Sequence, residues 1–119
     1  MINPNMATML CFVTTDADVS QNCLEGAMEE AVENTFNRIT IDGDTSTNDA
    51  VIVMSNGAAE NKTIRRGSKG CGDFSHALKF VMNKLAKAIV RDGERVTKFV
   101  TLQVNASRTN TQALPYTHS

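Results

Sequence analysis

The sequence predicts an α+β fold in which two long amphipathic helices lie over one face of a sheet. Two features carry this. Apolar, β-branched runs recur at 9–15, 50–55 and 96–104, as strands require. Between them stand two segments with apolar residues at helical spacing, giving the order strand, helix, strand, helix, strand.

The first strand is Met9 to Thr15. Asp18 or Ser20 is placed to cap the helix after it. In that helix Leu24, Ala27, Met28, Ala31, Val32, Thr35 and Phe36 form one stripe. Glu25, Glu29, Glu30 and Glu33 lie mostly on the other side, a solvated acidic face. Ile39–Ile41 reads as a short strand leading into the loop Asp42–Asp49, and Ala50–Ser55 as a buried strand stopped by Asn56-Gly57. Residues 58–72 are polar, basic and glycine-containing, and are expected to be a mobile loop. Asp73 or Ser75 would start the second helix, with Ala77, Leu78, Val81, Met82, Leu85 and Ile89 as its stripe and Gly93 as a left-handed cap. Val96–Val104 alternates as a strand does. The organisation expected is a partial domain over 1–104 and an irregular tail over 105–119.

With 119 residues and 41% hydrophobic content, the chain has enough apolar material for one core. Aromatics make up only 5%, so aliphatic side chains and Met must fill it. A net charge of −1 argues against an electrostatic nucleic-acid binder. No apolar run approaches the roughly 18 residues of a membrane span, and no secretory leader is visible. Cys11, Cys23 and Cys71 lack paired spacing, so they are expected to be buried, reduced thiols of a cytoplasmic protein.

The opening run Ile2-Asn3-Pro4-Asn5-Met6-Ala7-Thr8-Met9-Leu10 carries the sharpest chemistry. Cleavage between Ala7 and Thr8 would leave Thr8 with a hydroxyl nucleophile. The freed α-amino group, which titrates near neutral pH, would serve as base. Without its neighbours Thr8 would be an ordinary residue at a strand start. The whole run, however, closely resembles the self-cleavage site of the ornithine acetyltransferase (glutamate N-acetyltransferase) family of arginine biosynthesis. Asp42-Gly43-Asp44-Thr45-Ser46-Thr47-Asn48-Asp49 resembles that family's acidic, hydroxyl-rich loop. Leu85 to Glu94 resembles its late helix and following turn, and the order and spacing of the three segments agree as well.

The resemblance implies a sandwich of sheets flanked by helices, of N-terminal-nucleophile-like type and here partial. The complete enzyme would be a hetero-oligomer of α and β chains made by self-cleavage. It implies that Thr8 is both catalytic and substrate-binding. Thr8 would attack the carbonyl of Ala7, then carry an acetyl group from N-acetylornithine to glutamate. Glu94 is implied as a substrate-contacting acid, a carboxylate able to pair with the ornithine amino group. Arg95 departs from the Gly usual there. The oxyanion donors and a substrate-binding Lys belong to the upstream α chain, and residues completing the pocket belong further downstream. No cofactor is implied, with acetyl-CoA admitted as a co-substrate. Two other readings stay open: an inactive fragment acting only as an assembly module, and a related self-cleaved amidopeptidase or acylase.

Other motifs point to no further chemistry. Counted from Asp42, a calcium loop needs Gly and Glu where Thr47 and Val53 stand, so no metal site is expected and the loop is read as a brace. Gly67-Ser68-Lys69-Gly70-Cys71-Gly72 lacks the Gly-Lys-Ser/Thr ending of a phosphate loop. His76 and His118 have no catalytic partners in the pattern.

Overall fold

A computed structural model describes residues 9–41, 47–93 and 96–103. Its elements are β1 (Leu10–Thr15), α1 (Gln21–Asn34), a 3-10 turn (Phe36–Arg38), β2 (Ala50–Ser55) and α2 (Lys69–Arg91). The fold is α+β, with a small parallel sheet and two packed helices.

β1 and β2 run parallel, paired in register from Leu10 opposite Ala50 to Thr15 opposite Ser55. Parallel neighbours need a crossover, and α1 supplies it. The alternation of each strand then decides which residues meet the helices. Cys11, Val13, Val51 and Val53 turn into the core, while Leu10, Phe12, Ile52 and Met54 are exposed on the opposite face. Burial pushes the Cys11 thiol above its ordinary range, because a thiolate there would lose its hydration.

The helices meet along short side chains. Cys23, Ala27 and Ala31 of α1 are buried one turn apart, as are Leu78, Met82 and Ala86 of α2. Alanines on both sides let the backbones approach closely, and Met82, fully buried, fills the space between. The glutamates of α1 are not part of the core, as their spacing predicts. At its end, Thr35 is buried and its Oγ1 donates to the Ala31 carbonyl at 2.6 Å, which satisfies the hydroxyl without a core partner. Ser20 occupies the N-cap position of α1 without a side-chain cap bond.

Four expectations need correction. First, α2 begins at Lys69 rather than at Asp73 or Ser75: Ser68 caps it, accepting from the Cys71 amide at 3.2 Å and donating to the Arg65 carbonyl at 2.7 Å. Gly70 and Gly72 look like loop residues, but a capped first turn tolerates them. The helix ends on Asp92 at φ −91°, so Gly93 is not a left-handed cap. A Cβ at Gly93 would stand 2.9 Å from Val96 Cγ2, so a larger residue there would make the Val96 side chain shift. The buried stripe of α2 is also narrower than predicted, leaving Ala77, Val81 and Leu85 exposed.

Second, the stretch expected to be mobile is tied down. The Asp18 amide donates to Asn61 Oδ1 at 2.8 Å, and Thr63 Oγ1 donates to Asp18 Oδ2 at 2.7 Å. Val19 and Ile64 form a parallel bridge, with the Ser20 amide donating to the Ile64 carbonyl. Ser55 Oγ donates to the Ala17 carbonyl. The segment after β2 thus docks on the turn between β1 and α1. Its last residues, from Lys69 on, are helix.

Third, the described part of the predicted 96–104 strand, residues 96–103, is irregular, and 39–41 forms no strand. Alternation fits residues to a sheet, but a strand exists only through a ladder with a neighbour. Residues 96–103 instead begin with a turn, Val96 amide to Gly93 carbonyl, and place the Phe99 ring 5.1 Å from the Arg91 guanidinium. Val104 and the 105–119 tail lie outside the described residues.

Fourth, Cys23 and Cys71 are not reduced thiols but a disulfide, with their Cα atoms 6.1 Å apart. Cys11 alone matches the expectation, free and buried. The partners are 48 positions apart, so no local spacing announces the bridge; the helix crossing creates it.

Candidate functional site

Two contacts link residues within or beside the three motif segments. Asp49, just ahead of β2, accepts the amide hydrogen of Met9 on Oδ1 at 2.9 Å. The next rung follows at once, the Ala50 amide donating to the Met9 carbonyl at 2.8 Å. Asp49 therefore takes the place of a ladder partner one position ahead of the sheet. It fixes the backbone of the residue that follows Thr8. A carboxylate suits this because it accepts strongly and has no donor of its own to satisfy.

A second contact brings the end of α2 to the flank of the acidic loop. A Cβ on Gly93 would stand 3.5 Å from Ile41 Cγ2, so the end of α2 lies against the residue before the acidic loop. Ile39 and Ile89 pack on the same core cluster and hold these two approaches in place. The predicted site residues Ala7, Thr8 and Glu94, with Arg95 and 42–46 of the loop, lie outside the described residues. What the structure gives is their immediate flanks, Met9, Ile41, Thr47–Asp49 and Gly93.

Asp49 is the residue that sequence reasoning passed over as an individual. Its signal is readable afterwards: an Asp immediately before a buried strand, in a chain whose first strand needs an acceptor for its leading amide. The other sequence features take no part in these two contacts. The Gly67–Gly72 segment is the entry to α2, where Gly67 adopts φ +82°. His76 is an exposed residue of α2, and His118 lies outside the described residues. Among the described residues no group of three His, Cys, Asp or Glu side chains is gathered as a metal site, and no helix is long and apolar enough to cross a membrane.

Known proteins with this sequence pattern are numerous. The chain is 51% identical over 113 residues to a Desulfotalea psychrophila protein described as arginine biosynthesis bifunctional protein ArgJ, covering 95% of this chain and 29% of that one. It is 50% identical over 107 residues to the Listeria monocytogenes protein of the same description, covering 90% of this chain and 27% of that one. Among solved structures, the ArgJ protein of Bacillus halodurans superposes with a TM-score of 0.72 at 52% identity, over 76% of this chain and 43% of that chain. The chain thus spans less than a third of the length of these curated relatives. Because the model of the ArgJ family also matches it from residue 1 to residue 119, the chain belongs to the ArgJ family.

Proposed function

We propose that this chain is the part of an arginine-biosynthesis acetyltransferase that carries its nucleophile. In this reading Thr8 attacks the Ala7 carbonyl, and the peptide bond shifts to an ester on its Oγ. Water opens that ester, giving a carboxylate on Ala7 and a free α-amine on Thr8. The mature Thr8 hydroxyl then attacks the acetyl carbonyl of N-acetylornithine, its proton passing to the α-amine, and ornithine leaves. Glutamate's amine takes the acetyl group from the ester and restores the hydroxyl. This is ping-pong covalent catalysis. Glu94 would hold the cationic end of ornithine, and an upstream α chain would supply the oxyanion donors. Acetyl-CoA as a second acetyl donor belongs to the same reading.

The observation that carries it is the Asp49 bond to the Met9 amide, in a chain that belongs to the ArgJ family. A nucleophile one residue ahead of a clamped amide has its backbone direction set, and misplacement by an ångström is costly. In the longer protein, Asp49→Ala is expected to slow appearance of the Thr8 N-terminus about 10- to 100-fold. A time course on denaturing gels measures this; an unchanged rate removes Asp49 from the site.

The transfer reaction has its own test. Incubating the processed protein with N-acetylornithine and no glutamate should leave an acetyl group on the peptide that begins at Thr8, seen by mass spectrometry. Glu94→Gln keeps the side-chain shape and removes the charge. It should raise the KM for N-acetylornithine about tenfold or more, as loss of a charge-assisted contact does. Unlabelled Thr8 under turnover conditions would eliminate the acetyl-Thr route, and unchanged kinetics would reduce Glu94 to a residue of the turn.

A further inference from the structure

The disulfide lies away from the Asp49 end, joining the first turns of α1 and α2. Its two sulfurs differ in their surroundings. Cys23 is 1% exposed, whereas Cys71 is half-buried. A groove of about 380 Å³ runs beside the bridge, lined by both cysteines together with Arg66, Ser68, Ser75 and Glu30, whose carboxylate accepts from Ser75 Oγ at 3.2 Å. That space is in the range that holds small molecules.

Cys71 is the third residue of α2, directly after the Ser68 cap, and no acidic side chain occupies that turn. Of the two sulfurs, that of Cys71 is the one a thiol or disulfide in solution can reach, and exchange depends on such access. The contact between the helices does not depend on the bridge. Ala27 and Ala31 meet Leu78, Met82 and Ala86 in the core one or more turns further along. These core contacts do not involve the two sulfurs, and would remain available with the bridge open.

From these three observations we infer that Cys23–Cys71 is a thiol–disulfide exchange site, closed by small-molecule disulfides and opened by small-molecule thiols. In the closing direction the Cys71 thiolate attacks one sulfur of a disulfide RSSR. A mixed disulfide forms on Cys71 and one RS⁻ leaves. Cys23 then gives up its proton and attacks the Cys71 sulfur, expelling the second RS⁻. Two protein thiols are oxidised, one RSSR is reduced to two RSH, and the two protons end on the released thiols. Excess thiol runs the same steps backwards. The oxidation state then sets whether the first turns of the two helices are locked together.

The test uses the chain equilibrated at neutral pH in mixtures of reduced and oxidised glutathione, acid-quenched, unfolded and alkylated. Mass spectrometry counts the thiols, and circular dichroism follows the helices. The expected result is a reversible change between one and three alkylated cysteines with the helical signal retained. A brief native pulse of alkylating agent on the reduced chain should label Cys71 at least about tenfold faster than Cys23. Cys71→Ser should abolish the change, and Cys11→Ser should leave its midpoint where it was. The inference is overturned by a bridge that opens only as the helical signal is lost, by thiols that stay reduced in excess oxidised glutathione, or by Cys23 labelling first.

Discussion

Thr8→Ala in the longer protein is expected to remain a single uncut polypeptide and to lose acetyl transfer by about 10⁴-fold or more, the loss typical of removing a catalytic nucleophile. Alanine lacks the hydroxyl on which both the cleavage ester and the acetyl ester would form, so one substitution stops both reactions. Thr8→Ser retains the hydroxyl and should still be processed, more slowly, because serine lacks the methyl group that restricts χ1. N-terminal sequencing and intact mass report the cut, and an acetyl-transfer assay reports the turnover. Normal processing of the alanine variant would refute the assignment of Thr8. Processing without transfer would confine the doubt to the second reaction.

The second large effect concerns the outer face of the sheet. Leu10, Phe12, Ile52 and Met54 are 60%, 59%, 43% and 47% exposed and stand side by side across the register. Burying a side chain of this kind is worth about 1.5–3 kcal/mol, so together they form a strong adhesive surface. The 119-residue chain on its own is therefore expected to self-associate, and to show no acetyl transfer above background. Loss of even one oxyanion donor costs about 100- to 1,000-fold, and the isolated chain would lack the donors that the proposed α chain supplies. Phe12→Lys combined with Ile52→Lys should give a monomer on size-exclusion chromatography. Strong turnover by a clean monomer of the unmodified chain would show instead that the whole pocket lies within it.

Much of this architecture was readable because it is periodic. The stripe through Ala27, Ala31, Leu78 and Met82 survives in the core, as does the alternation that sends Cys11 and Val53 inward and Phe12 outward. The three motif segments pointed to the family to which the chain belongs. What was not readable depends on partners far along the chain. Val96 to Val104 has a strand's alternation, yet the described residues 96–103 form no strand. The helical start at Lys69 was hidden by Gly70 and Gly72, whose weak intrinsic preference is outweighed by the Ser68 cap. The Cys23–Cys71 bridge and the Asp18–Asn61 knot join residues 48 and 43 positions apart, beyond the reach of any local pattern. Of the site, Asp49 was legible only as one member of a polar loop. Its role depends on where Met9 falls opposite it.

The Asp49–Met9 bond has a bearing on the order of events in biosynthesis. Its partners are separated by 40 positions, and among the described residues the parallel neighbour of β1 is β2. Such non-local pairing closes late, after local helical turns have formed. A nascent chain ending before residue 49 lacks the carboxylate that sets the backbone beside Thr8. Under the proposed cleavage at Thr8, the cut would be coupled to completed pairing of these strands, and a free N-terminal threonine would mark a chain that has passed that step.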